Sequence, residues 1–324
     1  MQVEPLVSIC IPTCNRPELL RQALESCFVQ TYRPLEIVIG DDSEGSETES
    51  LVEAFRGRDV PIAYRRNQPP QGQAGNVNEL FRRARGARLI LLHDDDLLFP
   101  GAVEVLAACW DVDRGITAAF GKHRLISESA ELLHDEKLNK RCYRTSEFVG
   151  TRLRPMESAL VGQFPNDGYM VLAAAARKVG YRGKKGDMTN RWCDYDFGIR
   201  LACGTDRFYY LDRYTAVNRM TKASVSRTAL PRDICDNTIG LIKSLNLPSD
   251  AEWARSKALE RLFPILLGIY AAENDRRAIM ELYTSASGSC RYRISLRGVY
   301  HLALMVSPEL VRHMVRHMRQ NIGR

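Results

Sequence analysis

The sequence predicts an α/β protein: a mostly parallel sheet flanked by helices, followed by a helical C-terminal region. Three observations carry that expectation. Between residues 6 and 125, continuous apolar runs alternate with segments of helical period. Strands that are apolar throughout belong to sheets covered by helices on both faces. The chain has 324 residues, 45% of them hydrophobic, enough to bury a sizeable core. From about Ala229 onward the pattern is helical, with no strong strand signal.

The elements follow in order. Residues 6–11 form a β-rich run that stops at Pro12. Residues 17–30 carry apolar side chains at 19, 20, 23, 24, 27 and 28, a helical spacing, with Pro17 suited to the first turn. Residues 35–39 are a second strand ending in Gly40-Asp41-Asp42, and 47–56 are helical. Residues 62–64 make a short strand. Residues 73–85 read as a helix ended by Gly86. Residues 88–92 are the next strand and run directly into His93-Asp94-Asp95-Asp96. A helix over 102–109 and a strand over 116–120 close the series. Residues 127–225 are less regular. Within them, 180–187 are rich in Gly and Lys and expected to be a mobile loop. Residues 194–202 read as a short helix, and 207–218 are aromatic and β-rich. A boundary near 226–232 divides the chain into domains 1–228 and 229–324.

Composition narrows the partners. The net charge of +7 suits anionic partners such as nucleoside diphosphates or lipid head groups. The basic residues are spread out and no nucleic-acid recognition motif occurs, so nucleic-acid binding is not expected. Nine cysteines, an odd number with no Cys-x-x-Cys pair, point to reduced thiols and a cytoplasmic setting. No secretory signal opens the sequence. The longest apolar run, 262–272, contains Pro264 and falls short of the roughly 20 residues a bilayer span needs.

In a parallel sheet, ligands bind beyond the carboxyl ends of the strands. Those ends carry Pro12, Thr13, Asn15 and Arg16, then Asp41 and Asp42, then His93 to Asp96. Three adjacent carboxylates repel one another unless a cation or hydrogen bonds compensate. Hard divalent cations take one or two carboxylates plus substrate phosphates. A solvated acidic turn or a helix cap at Asp96 would produce the same triplet. Its position directly after a buried strand favours the site. Asp41 and Asp42 could accept bonds from a nucleobase or ribose, or cap the following helix. Asp194 and Asp196 stand among Trp192, Cys193 and Tyr195. Desolvation there would raise a carboxylate toward a useful base, and capping is again the alternative.

Together these segments resemble glycosyltransferase family 2, whose fold is GT-A, a Rossmann-like arrangement. The run from Val7 to Pro17 looks like the family's opening strand. Residues 37–43 look like its second strand and nucleotide-binding Asp-Asp. Gly72, Asn78 and Gly86 are similar to its glycine–asparagine helix. Residues 91–100 look like the Asp-x-Asp segment with its following proline, and 194–201 resemble the helix that carries the catalytic base. The resemblance implies Thr13 and Asp42 at the nucleoside with Arg16 nearby, and Pro12, Asn15, Asp41, Asn78 and Asp94 lining the donor site. It implies Mn²⁺ or Mg²⁺ on Asp95, assisted by Asp94 or Asp96, and Asp194 as the base of an inverting transfer.

Departures are visible. His93 stands where the first Asp of Asp-x-Asp usually falls. Val77 replaces a frequent arginine, and Cys193 replaces an acid before Asp194. Residues 217–222 lack a histidine often found there, leaving Arg219 or Lys222 to hold the diphosphate. The expected reaction moves a sugar from a UDP-, dTDP- or GDP-sugar to a glycan or lipid-linked hydroxyl, in bacterial surface polysaccharide or glycolipid synthesis. A homodimer is compatible with this reading. A nucleotidyltransferase is the enzymatic alternative, but Pro12 to Arg16 hold no glycine-rich phosphate loop. A non-catalytic nucleotide-sugar or glycan-binding module is the other. Residues 305–319 form a basic amphipathic pattern, either a membrane-surface helix or a helix packed on the protein.

Overall fold

A computed structural model of the chain describes residues 4–183, 192–221, 232–284, and positions 299 and 303. Two compact units divide it, Met1–Thr228 and Ala229–Arg324.

The first unit is built on a nine-stranded mixed sheet. The chain runs through β1 (Val7–Thr13), α1 (Pro17–Phe28), β2 (Leu35–Asp41), α2 (Glu47–Glu53), β3 (Ile62–Arg66), α3 (Gly72–Arg83) and β4 (Arg88–Leu91). These strands lie parallel in the order β3-β2-β1-β4. The register sets Thr13 beside Asp41 and Cys10 beside Leu91, so the ends of β1, β2 and β4 share one edge. Both faces of this half are covered. Ile9, Ile11, Ile37 and Ile39 are wholly buried, each contributing roughly 1.5–3 kcal/mol. Gly40 lets α3 close on β2: a Cβ there would lie 2.0 Å from Asn76 Oδ1, and Asn76 Nδ2 donates to the Gly40 carbonyl at 2.8 Å.

The second half continues with β5 (Leu97–Leu98), α4 (Ala102–Ala107), α5 (Cys109–Val112), β6 (Ala118–Ser127), β7 (Leu132–Leu133), α6 (Glu136–Arg141), α7 (Pro155–Val161), β8 (Met170–Leu172), α8 (Ala173–Val179), α9 (Cys193–Cys203) and β9 (Phe208–Met220). Here the sheet turns mixed. β8 is antiparallel to both β4 and β6, β6 and β9 are parallel, and β5 pairs antiparallel with β9. β8 runs against β4 on one side and β6 on the other, so β6 and β9 keep the direction of β3-β2-β1-β4 and the expectation of a mostly parallel sheet holds. β8 has three residues, too short to leave a periodic signal.

The second unit contains α10 (Arg232–Ser244), α11 (Glu252–Ala272) and α12 (Arg276–Thr284). Phe263, Leu267, Ala271 and Ile279 form its small core. Arg232 pairs with Asp275 at 2.7 Å and Glu273 at 3.1 Å. Among the described residues no helix is long and apolar enough to cross a membrane. The eight described cysteines form no disulfide. The basic stretch 305–319, Lys222 and residues 184–187 of the 180–187 loop lie outside the described residues.

Candidate active site

The shared strand edge gathers most of the residues singled out by the sequence. Pro12 lies opposite Gly40, one residue before the ladder ends at Thr13, and Thr13 is buried. Asn15 turns the chain with a φ of 55°. Its amide donates to Ser43 Oγ at 2.7 Å, and its Oδ1 accepts from the Glu44 amide at 3.2 Å. The loops after β1 and β2 are thereby joined.

Asp41 and Asp42 differ. Asp41 is fully buried, and its oxygens accept from the Ser43 amide and Tyr64 Oη, both at 2.8 Å. Asp42 Oδ1 accepts from Asn67 Nδ2 at 2.8 Å and the Gln71 amide at 3.1 Å. Its Oδ2 is buried with no partner among the described residues. A buried acceptor left open costs free energy unless a ligand satisfies it, so Asp42 is the member of the pair equipped to take an N–H or O–H from a ligand.

The acid loop after β4 faces two ways. Thr13 Oγ1 donates to Asp94 Oδ2 at 2.8 Å. Arg16 Nη1 lies 3.3 Å from Asp94 Oδ1 and from Asp95 Oδ2. Burial, then the charge of Asp95, push the Asp94 carboxyl up to about 6, while Arg16 and Thr13 oppose the rise. Asp96 points the other way, accepting from Asn218 Nδ2 and the Arg219 amide, both at 2.7 Å. Asp167 accepts from the same Asn218 Nδ2 at 3.2 Å and from the His93 amide at 3.1 Å. Burial, then the neighbouring Asp167 and Asp95 carboxylates, raise Asp96 well above the usual carboxylate range. Burial raises Asp167 too. For His93, burial works downward but is outweighed by Asp167, Asp194 and Asp96, so the imidazole is held well above its ordinary value.

His93, Asp96 and Asp167 present ligand atoms within 4.8 Å of one another. His93 Nε2 is buried with no hydrogen-bond partner among the described residues. An imidazole nitrogen with two carboxylates suits a divalent metal, so these residues fit such an ion. Asp94 and Asp95 are a second carboxylate pair, already faced by a cation, Arg16. Asp167 was not legible as a site residue; its only sequence mark is the Asn166-Asp167-Gly168 turn signal.

Asp194, at the start of α9, is 5% exposed. Its Oδ1 accepts from Tyr181 Oη at 2.9 Å and lies 3.6 Å from His93 Nε2; its Oδ2 lies 3.5 Å from Gln73 Nε2. Asp196 instead accepts from Arg200 Nε at 2.7 Å. Two residues stand apart from the roles given them. Both amide atoms of Asn78 are taken by the Tyr181 backbone, at 2.9 and 2.7 Å. Arg219 is buried and directs its guanidinium at the Asp95 and Glu128 carbonyls and Gln22 Oε1. Through the Asp95 carbonyl it ties β9 to the acid loop.

A family model described as glycosyl transferase family 2 matches residues 8–153. The chain is 32% identical over 155 residues to a GalNAc(5)-diNAcBac-PP-undecaprenol beta-1,3-glucosyltransferase of Campylobacter jejuni, covering 45% of this chain and 50% of that one. It is 29% identical over 197 residues to the uncharacterized glycosyltransferase YwdF of Bacillus subtilis, covering 60% and 68%. The chain thus spans half the length of the Campylobacter relative. Among solved structures, S. aureus TarS 1–349 in complex with UDP-GlcNAc matches with a TM-score of 0.69 at 14% identity, over 96% of this chain and 91% of that one. The mannosyltransferase PcManGT from Pyrobaculum calidifontis, with GDP-Man and Mn²⁺, matches at 0.53 and 15% identity, over 95% and 87%. At those identities the likeness is one of fold.

Proposed function

We propose that this chain is a member of glycosyl transferase family 2 and that it transfers a sugar from a nucleoside-diphosphate donor to a hydroxyl acceptor, inverting the anomeric carbon. The observation that carries the reading is the convergence on one sheet edge of an open nucleoside acceptor, Asp42 Oδ2, an acid loop, and a buried carboxylate, Asp194. Thr13, Asn15 and Arg16 line the same edge, Asp42 receives the nucleoside, and Asp194 Oδ2 takes the proton of the acceptor hydroxyl. The new C–O bond forms as the bond to the diphosphate breaks on the opposite face of the sugar.

A divalent ion, Mn²⁺ or Mg²⁺, would supply charge to the leaving diphosphate when bound. Asp95, with Asp94 beside it, is the proposed holder, because an ion that touches the donor needs ligands on the open side. The side chains of Asp94 and Asp95 are 8% and 15% exposed, whereas the carboxylates of the inner set, Asp96 and Asp167, are 5% and 0% exposed and only its His93, at 22%, is open. His93 Nε2, which makes no hydrogen bond among the described residues, favours a second reading, an ion on His93, Asp96 and Asp167.

Release of nucleoside diphosphate from a panel of UDP-, dTDP- and GDP-sugars, with Mn²⁺ or EDTA, tests the activity. No release above background from any of them rejects it. Titration calorimetry with Mn²⁺ separates the ligand sets. Residues that merely orient a ligand are worth on the order of 10- to 100-fold in metal affinity, so Asp95→Asn should cost at least that, and Asp167→Asn less. The reverse order moves the ion to the inner set. The name of the Campylobacter relative supports a polyprenyl-linked acceptor, and with it peripheral association at the inner face of the membrane.

A further inference from the structure

We propose that Tyr181 positions Asp194 for proton transfer, and that Asn78 acts on the reaction through Tyr181 rather than through the donor. This rests on Asp194 being the base. A carboxylate at a helix start can turn about its side-chain bonds, and a base must present one oxygen in a fixed direction. Tyr181 Oη donates to Asp194 Oδ1 at 2.9 Å, a charge-assisted bond. That bond leaves Oδ2 as the oxygen turned to an acceptor.

Tyr181 is itself immobilised from several sides. Its ring stacks on Phe197 with centroids 4.6 Å apart and meets the edge of Phe81 at 5.9 Å. Its hydroxyl lies 3.2 Å from Tyr169 Oη. The single proton of Tyr181 goes to Asp194, so Tyr169 must be the donor in that pair. The hydroxyls thus form a directed chain ending on the carboxylate. The backbone of Tyr181 is clamped as well. Asn78 Nδ2 donates to its carbonyl at 2.9 Å, and Asn78 Oδ1 accepts from its amide at 2.7 Å. Asn78 thus spends its Oδ1 and one of its two Nδ2 protons on the backbone of Tyr181. α3 therefore reaches the base twice, through Asn78 and Tyr181, and through Gln73 Nε2 beside Asp194 Oδ2.

Tyr181→Phe keeps the ring and its stacking while removing the bond to Asp194. With the same sugar-nucleotide panel, it should lower kcat on the order of 10- to 100-fold. Donor KM and the Kd of UDP with Mn²⁺ should stay within about two-fold, with unchanged binding stoichiometry. Asn78→Ala should show the same split. The double variant should fall little below the worse single one, because residues acting in series are not additive. If the alanine variant does not fold, Asn78→Asp keeps the acceptor for the Tyr181 amide, loses the donor, and should show the same split. Asp194→Asn is measured alongside. Loss of turnover in Asp194→Asn with normal turnover in Tyr181→Phe overturns the positioning role and leaves the base in place. A raised UDP Kd in Asn78→Ala, additive with Tyr181→Phe, returns Asn78 to the donor. Normal turnover in Asp194→Asn removes the base assignment and this proposal with it.

Discussion

His123 Nδ1 lies against Asn218 Oδ1, the far side of the amide whose nitrogen serves Asp96 and Asp167. Asn218 can face both carboxylates with its NH₂ only if its oxygen finds a donor, and a neutral His123 supplies one. Burial, then the positive charge of Arg144, hold the His123 pKa well below its ordinary value; the bond to Asn218 opposes them. The sign follows from proton counting. The unfolded chain protonates this histidine near 6.5 while the folded one does not, so its contribution to stability declines as pH falls below that point. The decline reaches about 1.4 kcal/mol per pH unit until the folded value is met. Asp94, raised to about 6, acts in the opposite sense, since its contribution is lost as pH rises through that value. Comparing His123→Gln with the parent chain cancels Asp94. The substituted glutamine carries no titration, so the stability gap between the two should narrow steadily from pH 7 to pH 5 in denaturant unfolding. A gap independent of pH would mean that His123 titrates alike in both states.

At the scale of elements, the strands with the longest apolar runs were the most readable. β1, β2 and β4 are buried along nearly their whole length, so their sequences carry no polar alternation and end where the site begins. Asp42, Asp94 and Asp95 were therefore singled out by position, and Asp194 by its bulky neighbours and the family resemblance. Asp167 and Tyr181 were not, because each precedes or follows a short element and acts through contacts between segments distant in sequence. Asn78 was noticed, but its partner was invisible without the fold. β8 is the clearest case. Its entry depends on Gly168, at φ 65°, where a Cβ would lie 2.5 Å from that of Ala216 on β9. Gly168→Ala should thus cost about 2–4 kcal/mol from backbone strain plus overpacking, read as a lower urea midpoint at unchanged m-value. An unaltered midpoint would show that β8 and β9 can part without loss.

For the whole molecule, every residue of the candidate site lies within Met1–Thr228. The last of them in sequence, Asn218 and Arg219, sit on β9, which pairs along much of its length with β6 inside the same unit. The sheet is therefore closed before residue 228, and the acid loop receives all of its described hydrogen bonds from within the unit. The small core of the second unit, around Phe263 and Leu267, contributes none of the side chains assigned to donor, metal or base. We accordingly propose 1–228 as the nucleotide-binding and catalytic domain. Expressed alone, it should unfold in one cooperative transition and bind UDP with Mn²⁺ at a Kd within about three-fold of the full chain, because the ligand contacts are unchanged. Association with anionic vesicles is a separate property, expected from the basic residues at 305–319, and the shortened chain should lose it while keeping nucleotide affinity. A tenfold weaker nucleotide Kd in the shortened chain would instead assign residues beyond 228 to the donor site. Equal vesicle binding by both chains would remove the membrane role from the C-terminal region.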